Sequence, residues 1–250
     1  MGGGASTLLK VDNIAKTYRK GKPVLRGIDL SVMEGEIVGI VGESGSGKST
    51  LTRIIMQLET PQSGFVSFNG LPVEKSSRKA FYKDCQLIFQ NASASFNPSW
   101  TIQEILSEPL QSRKKNRLEF IRSMLSKVNL NEAHLRRLPS ELSGGEKQRV
   151  NLLRAILVEP KLLICDEIVS NLDKLIQKEI IDLLIKLKLE TNLSILFISH
   201  DLRVVEYMCD RILVMKDGEI VDESTKIVNK FNFSHPYSKK LFKSKSNCEM

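Results

Sequence analysis

The sequence lacks any run of about 18 predominantly apolar residues, the length a bilayer-spanning helix needs. Its longest charge-free stretch, Cys85 to Gln103, is filled with Asn, Ser, Gln and Pro, so a membrane-spanning helix is excluded. Cysteine is scarce, at 4 residues, and Cys85, Cys165, Cys209 and Cys248 form no C-x-x-C pair. That dispersion argues against a zinc site or a disulfide framework and leaves reduced core thiols as the expectation. The first residues, Met1-Gly2-Gly3-Gly4-Ala5-Ser6, carry neither a basic nor an apolar stretch. They do not read as a secretory signal; residues 1–6 are expected to be an appended remnant or disordered, and the chain is expected in the cytosol. No repeat of about 20 to 50 residues is visible. Acidic residues are outnumbered, 29 against 37 Lys and Arg, and the net charge of +8 favours an anionic partner. Charge alone does not choose among nucleic acid, nucleotide and acidic lipid.

What is present is an ordinary globular composition, 41% hydrophobic and 26% charged over 250 residues. That suffices for one large domain or two small ones with a well-buried core. Leu8 to Val11 and Ile28 to Val32 read as strands, and Glu34-Gly35-Glu36 as a turn. The unbroken apolar run Ile37 to Val41, ending in glycine, has the texture of a central parallel strand. It feeds Gly42-Glu43-Ser44-Gly45-Ser46-Gly47-Lys48-Ser49-Thr50, then a helical pattern through Leu51, Ile54, Ile55 and Leu58. From Asn91 to about Val150 polar loops and amphipathic helices predict a helical insertion, with a basic stretch from Arg113 to Arg117. Parallel-sheet texture returns at Leu162 to Cys165 and at Ile195 to Ile198, on either side of a helix through Ile180, Leu184 and Leu187. Strand, helix and strand in that order imply a right-handed crossover. Ile212 to Met215 and Glu219 to Val221 flank Lys216-Asp217-Gly218, a hairpin signal. The class expected is α/β.

Gly42 to Ser49 fits G-x-x-x-x-G-K-[ST]. Glycines at these positions let successive backbone N–H groups turn inward around an anion. Lys48 then reaches the β- and γ-phosphates, Ser49 offers a hydroxyl to Mg²⁺, and the next helix aims its positive end at the same phosphates. A chance glycine turn is the alternative, and the strand before and helix after weigh against it. Leu162 to Cys165 ends in two carboxylates, Asp166 and Glu167. One can hold a metal shell and the next can polarise a water for in-line attack on phosphorus, although acidic pairs after strands also serve as helix caps. His200 follows an apolar strand, where ligands bind in open α/β sheets, and is a candidate donor to a γ-phosphate. His134 and His235 are expected on the surface.

Leu142-Ser143-Gly144-Gly145-Glu146 precedes a helical pattern through Val150, Leu153 and Leu157. Ser143 with Glu146 three residues on makes a capping box, so this is at least a helix start. A second glycine-containing helix N-terminus is also a second phosphate site, which one mononucleotide does not need.

In order, the phosphate loop, Gln90 after an apolar strand, Leu-Ser-Gly-Gly-Glu, the acidic strand end, Ser170-Asn171-Leu172-Asp173 and His200 resemble the ATPase subunit of ABC transporters. The resemblance covers nearly all of residues 7–222. It implies a P-loop NTPase of ABC type, with an N-terminal antiparallel β-subdomain, a helical subdomain over about 91–150 and a C-terminal extension over 223–250. It further implies ATP and Mg²⁺ as cofactors and a head-to-tail dimer. Each ATP would lie between the phosphate loop of one chain and the Ser-Gly-Gly-Glu helix of the other. Carried over by motif, Tyr18 would stack on adenine and Gly42, Glu43, Ser44, Gly45, Ser46, Gly47, Lys48, Ser49 and Thr50 would bind phosphate. Ser49, Gln90 and Asp166 would serve Mg²⁺, Gln90 would also sense the attacking water as a catalytic residue, and Glu167 would act as general base. His200 would clamp the γ-phosphate. Leu142, Ser143, Gly144, Gly145 and Glu146 would face the partner's nucleotide, and Asp173 would cross the dimer.

Gln90 to Pro98, Asn171 and His235-Pro236-Tyr237 are similar to the oligopeptide and nickel importer branch. Nickel, or a metal carried by a metallophore such as staphylopine, is the first cargo that resemblance suggests, with an oligopeptide as the alternative. A non-identical second ATPase, two membrane permease subunits and, indirectly, an extracytoplasmic solute-binding protein would be its partners, at the cytoplasmic face of the membrane, with no nucleic acid. Only Cys248 stands near the tail, so no iron–sulfur cluster is expected. Trp100 is open to either core packing or contact with a membrane subunit. The basic stretch at Arg113 to Arg117 and the lysine-rich tail are expected as solvated faces rather than lipid contacts. A P-loop kinase, a subunit that binds ATP without turning it over, and a nucleic-acid ATPase are the competing classes.

Overall fold

The computed structural model describes residues 6–18, 21–89, 96–111, 115–170 and 172–243. Gln90, Asn91 to Ser95, Arg113, Lys114, Asn171, Lys245 and Cys248 lie outside the described residues, as do residues 1–5. The chain divides into two units, residues 1–82 with 194–250, and residues 83–193.

In the first unit, β1 (Thr7–Thr17), β2 (Pro23–Met33), β4 (Ser63–Phe68) and β5 (Leu71–Pro72) form an antiparallel sheet in the order β2-β1-β4-β5. Val11 stands opposite Leu30 on one side and Val66 on the other, and all three are buried. Alternation fails around Asn13, which adopts a left-handed φ of 47° at a break in register. A second group of strands surrounds β3 (Ile37–Val41). It pairs in parallel with β8 (Ser194–Ile198) and β9 (Arg211–Lys216), and β10 (Glu219–Thr225) adds to β9 antiparallel. Every residue of β3 and β8 is buried, as their continuous apolar sequence requires. The β9–β10 turn is Asp217-Gly218, both at positive φ, so Lys216 itself pairs with Glu219. β10 runs to Thr225, beyond the boundary expected at residue 222.

Helix α1 (Lys48–Ile55) ends three residues before Leu58, which the periodicity assigned to the same helix. Gln57 takes a left-handed φ of 54°, and the Leu58 N–H reaches back to the Arg53 carbonyl at 2.8 Å. That closure turns Leu58 outward, 54% exposed. Helix α2 (Arg78–Asp84) brings Phe81 edge-on to Phe68 at 5.4 Å. Helix α7 (Leu202–Met208) lies close on β3, because a Cβ at Gly39 would meet Val205 Cγ1 at 2.5 Å. The last helix, α8, is Pro236–Lys243.

In the second unit, β6 (Cys85–Ile88) pairs in parallel with β7 (Leu162–Asp166). Among the described residues only helical elements separate them: α3 (Ile102–Ser107), α4 (Arg117–Leu125), several 3-10 turns and α5 (Gly144–Ile156). Helix α6 (Lys174–Thr191) follows and buries Ile180, Ile181, Leu183, Leu184 and Leu187. Two arginines tie α5 to its neighbours: Arg149 donates to the Val128 carbonyl at 3.1 Å and to Glu179, and Arg154 to Glu108 at 2.6 Å. Cys85, Cys165 and Cys209 are buried and not in disulfides; burial pushes the thiols of Cys85 and Cys165 upward, so both stay protonated. No helix among the described residues is long and apolar enough to cross a membrane.

Candidate functional site

The loop from Gly42 to Thr50 leaves the C-terminal end of β3 and closes on the N-terminus of α1. Gly45 and Gly47 hold φ of 83° and 106°, conformations that favour glycine. A Cβ at Gly42 would come within 2.3 Å of the Met215 carbonyl, so β9 walls the loop and only glycine fits there. The N-cap of α1 is Gly47, which supplies no side-chain cap, and the first turn carries no carboxylate. Nothing in the helix's own sequence therefore competes with an anion for that positive end. Lys48 is buried, and its ammonium donates to the carbonyls of Gly42 at 2.8 Å and Glu43 at 2.9 Å. Glu43, Ser44, Gly45 and Ser49 are exposed, Ser46 is buried and Thr50 half-buried.

The same unit brings His200 to this edge of the sheet. Ile40 of β3 pairs with Ile198 of β8, and the Ser199 N–H donates to the Ile40 carbonyl at 3.2 Å. The exposed His200 therefore leaves β8 at the end where the glycine loop leaves β3. Tyr18 follows β1, whose Thr17 pairs with Pro23 of β2; the next β2 residues back the loop, with the Val24 carbonyl 2.9 Å from a Cβ built on Gly47. The Tyr18 ring is 44% exposed, and its hydroxyl donates to Glu59 at 2.8 Å. Burial raises the Glu59 carboxyl, but Tyr18, Lys16 and Arg53 together hold it below its ordinary value. The hairpin turn joins the loop as well, the Gly218 N–H donating to the Ser46 carbonyl at 3.1 Å. The turn itself was legible as Asp-Gly; its docking was not, because the partner is distant in sequence.

In the second unit, α5 begins at Ser143. Ser143 Oγ accepts the Glu146 N–H at 3.2 Å, and the Glu146 carboxylate accepts the Ser143 N–H at 2.7 Å, a complete capping box. Ser143 and Gly144 are exposed, while Leu142 and Gly145 are buried. A Cβ at Gly145 would lie 2.8 Å from Ile176 Cγ2, so the start of α5 packs on the first turn of α6. Asp173 is the N-cap of that helix, accepting from Leu175 at 3.1 Å and Ile176 at 3.0 Å. The structure thus brings Asp173 and the Ser143 segment together.

His134 departs from expectation. It is buried, 9% exposed, and its Nε2 shares a hydrogen bond with Glu146 Oε1 at 3.1 Å. A 3-10 turn over Glu132–Arg136, capped by Asn131, folds the imidazole under the start of α5. The polar sequence around it gave no sign of that packing. His235 is half-buried rather than on the surface, its Nδ1 accepting the Tyr237 N–H at 3.1 Å. Trp100 is exposed. The Ser143 backbone N–H and the His134 imidazole hold the Glu146 carboxyl below its ordinary value against the opposing effect of burial.

Asp166 closes β7 half-buried, and Glu167 follows at a left-handed φ of 52°. A non-glycine residue in that region is uncommon and concentrates at functional sites. The Glu167 carbonyl is held by the Ser170 hydroxyl at 2.9 Å and the Ser170 N–H at 3.2 Å, a tight turn that fixes where the acidic pair projects. Gln90, expected beside the Mg²⁺, lies outside the described residues.

A family model described as ABC transporter matches residues 25–170. The chain is 42% identical over 243 residues to the nickel import ATP-binding protein NikE of Shigella dysenteriae, covering 91% of this chain and 90% of that one. Among solved structures it is similar to cbiO1 of Clostridium perfringens, part of the ABC transporter complex cbiONQ. The TM-score is 0.82 at 25% identity, covering 98% of this chain and 96% of that one. It is also similar to the ATP-binding cassette MJ0796, a dimer in a post-hydrolysis state bound to ADP and Pi. There the TM-score is 0.73 at 29% identity, covering 87% and 98% of the two chains.

Proposed function

Because this chain belongs to the ABC transporter family, as one of its ATP-hydrolysing subunits, we propose that it powers the import of nickel. The metal would travel free or as a metallophore complex. The observation that carries this reading is its 42% identity, over 91% of its length, to a protein named for nickel import. The presence of every residue type the chemistry needs supports hydrolysis rather than ATP binding alone.

In the mechanism we propose, Gly42 to Thr50 take the phosphates. The uncapped N-terminus of α1 and the Lys48 ammonium oppose their charge. Tyr18 offers an exposed ring face for the adenine, since stacking needs only π-surface and tolerates its hydroxyl bond to Glu59. Ser49 and Asp166 are hard oxygen donors, the set that suits Mg²⁺, and we assign them with Gln90 to hold it. Held there, Mg²⁺ would neutralise charge on the phosphate oxygens. Glu167 takes a proton from the attacking water, and His200 donates to the γ-phosphate. Ser143, whose oxygen accepts the Glu146 N–H within its own chain, donates a hydrogen bond to the nucleotide of a second ATPase, with Asp173 in the same contact.

The partners in this reading are a second, non-identical ATPase chain and two membrane permeases, with an extracytoplasmic solute-binding protein upstream. The chain then works peripherally at the cytoplasmic face. ATP closes the ATPase pair, hydrolysis reopens it, and the permeases transmit the motion. The test is uptake of radioactive Ni²⁺ into proteoliposomes carrying the transporter co-purified with this chain. ATP-dependent uptake abolished by Glu167→Gln is the expected result; uptake of an oligopeptide in place of Ni²⁺ would reassign the cargo.

A further inference from the structure

The segment that leaves α1 is tied to the tyrosine that follows β1. Left-handed Gln57 ends the helix, and the Arg53 carbonyl accepts both the Leu58 N–H at 2.8 Å and the Glu59 N–H at 3.2 Å, a closure that sets where the Glu59 carboxylate projects. The Tyr18 hydroxyl donates to Glu59 Oε2 at 2.8 Å, and the Lys16 ammonium pairs with Glu59 Oε1 at 3.1 Å. Arg53 Nε lies 3.9 Å from the carboxylate. The Lys16 and Glu59 side chains are only 17% and 16% exposed, so water screens this pair less than it does a surface pair. Lys16 also donates to the Thr60 carbonyl at 2.6 Å, and the Gln62 N–H to the Ala15 carbonyl at 2.8 Å, which pins the end of β1 along the same segment.

The Lys16 ammonium, so held, stands over the Tyr18 ring 5.5 Å from its centroid, while the ring remains 44% exposed. The hydroxyl edge is therefore fixed, one face is taken by a cation, and the other face is the flat surface on offer. We propose that Glu59 is a positioning residue for the nucleotide's base: it fixes the Tyr18 ring by its hydroxyl, so that the base stacks on the face Lys16 leaves free. The inference rests on the reading of Tyr18 and Gly42 to Thr50 as the ATP site. A ring whose rotation is already arrested gives up less freedom when a base stacks on it, so Glu59 contributes to affinity without touching the ligand. Against the effect of burial, Tyr18, Lys16 and Arg53 keep the Glu59 carboxyl below its ordinary value, so the anchor is ionised at neutral pH. Helix α1, whose N-terminus faces the phosphates in this reading, thus presents the residue that steers the base just beyond its C-terminal end.

The test compares Mg-ATP with Mg-tripolyphosphate, which carries the phosphates without a base, each titrated calorimetrically into the full chain. Glu59→Ala is expected to weaken Mg-ATP about five-fold, the worth of one pre-ordered side chain, and to leave Mg-tripolyphosphate within about two-fold. Glu59→Gln keeps an acceptor for the hydroxyl and should restore Mg-ATP affinity to within about two-fold of the unaltered chain. In the assembled transporter KM for ATP rises in Glu59→Ala and kcat is unchanged. Added to Tyr18→Ala, Glu59→Ala should weaken Mg-ATP no further, because its effect runs through the ring. Equal weakening of the two ligands, or Mg-ATP affinity unaltered in Glu59→Ala, overturns the inference. Tyr18→Ala alone separates the two claims: if it loses Mg-ATP affinity while Glu59→Ala does not, only the positioning role falls. If Tyr18→Ala binds Mg-ATP as the unaltered chain does, the base stacks elsewhere, and the reading of Tyr18 falls together with the inference.

Discussion

Ser143 and Glu146 are hydrogen-bonded to each other twice, N–H to hydroxyl at 3.2 Å and N–H to carboxylate at 2.7 Å. In this exchange the Ser143 hydroxyl accepts the Glu146 N–H, and its own proton can go to the Glu146 carboxylate or to an acceptor outside the helix. His134, beneath the same carboxylate at 3.1 Å, holds the arrangement from the side away from solvent. The start of α5 is therefore both a well-made cap and a preorganised donor, and the two roles separate experimentally.

Ser143→Asp keeps a strong N-cap but sets a negative charge where the proposed mechanism puts the companion's phosphate. Unfolding free energy should change by less than about 0.5 kcal/mol, while ATP turnover of the assembled transporter falls at least about 100-fold. Ser143→Ala should cost about 1 kcal/mol of stability through the lost cap, as well as turnover. Chemical denaturation and phosphate release read the two effects independently.

The lowered Glu146 carboxyl makes the α5 cap sensitive to acid. Its folded value lies below the unfolded value of about 4.3, so its stabilisation is complete above that pH and is lost as pH falls through the folded value. Glu146→Gln has no charge to lose. The stability gap between the two proteins should be widest near neutrality and narrow as pH falls below about 4; a gap that is constant with pH would show that the charge plays no part.

Glu167→Gln should leave Mg-ATP affinity within about two-fold and lower steady-state hydrolysis at least about 100-fold, the scale of a lost general base. Equilibrium binding and phosphate release on one preparation decide it. Turnover that survives the substitution removes Glu167 from the water-activating role.

Stability of the first unit rests in part on Arg211. Its guanidinium donates to both Glu36 oxygens, at 2.7 and 3.0 Å, and to the Ser31 carbonyl at 2.7 Å. Its hydrogen bond to Glu36 raises its pKa against the effect of burial, with Glu223 adding to the shift. Glu36→Ala leaves a largely buried cation with the half-exposed Glu223 as its remaining carboxylate and should cost about 2 kcal/mol in denaturant unfolding, whereas Lys10→Ala, which breaks an exposed pair with Asp12, should cost less than about 1 kcal/mol.

The parts of the site written in consecutive residues are legible from the chain's own order. Gly42 to Ser49 and Leu142 to Glu146 declare themselves because glycine φ values and capping geometry are local, and β3 and β8 because buried parallel strands read as unbroken apolar runs. What escaped depends on neighbours distant in sequence. His134 sits in polar sequence, yet a capped turn folds it under Glu146, and nothing local reveals that partner. Leu58 fits the helical period, but left-handed Gln57 ends the helix first.

The central claim is that Ser143 serves the nucleotide of the companion ATPase rather than that of its own chain. Vanadate-dependent trapping of photoreactive 8-azido-ADP, read separately on the two ATPase chains of a transporter carrying Ser143→Arg, tests it most directly. The account expects trapping to be lost on the companion and retained on this chain. Loss on this chain with the companion still labelled would contradict it.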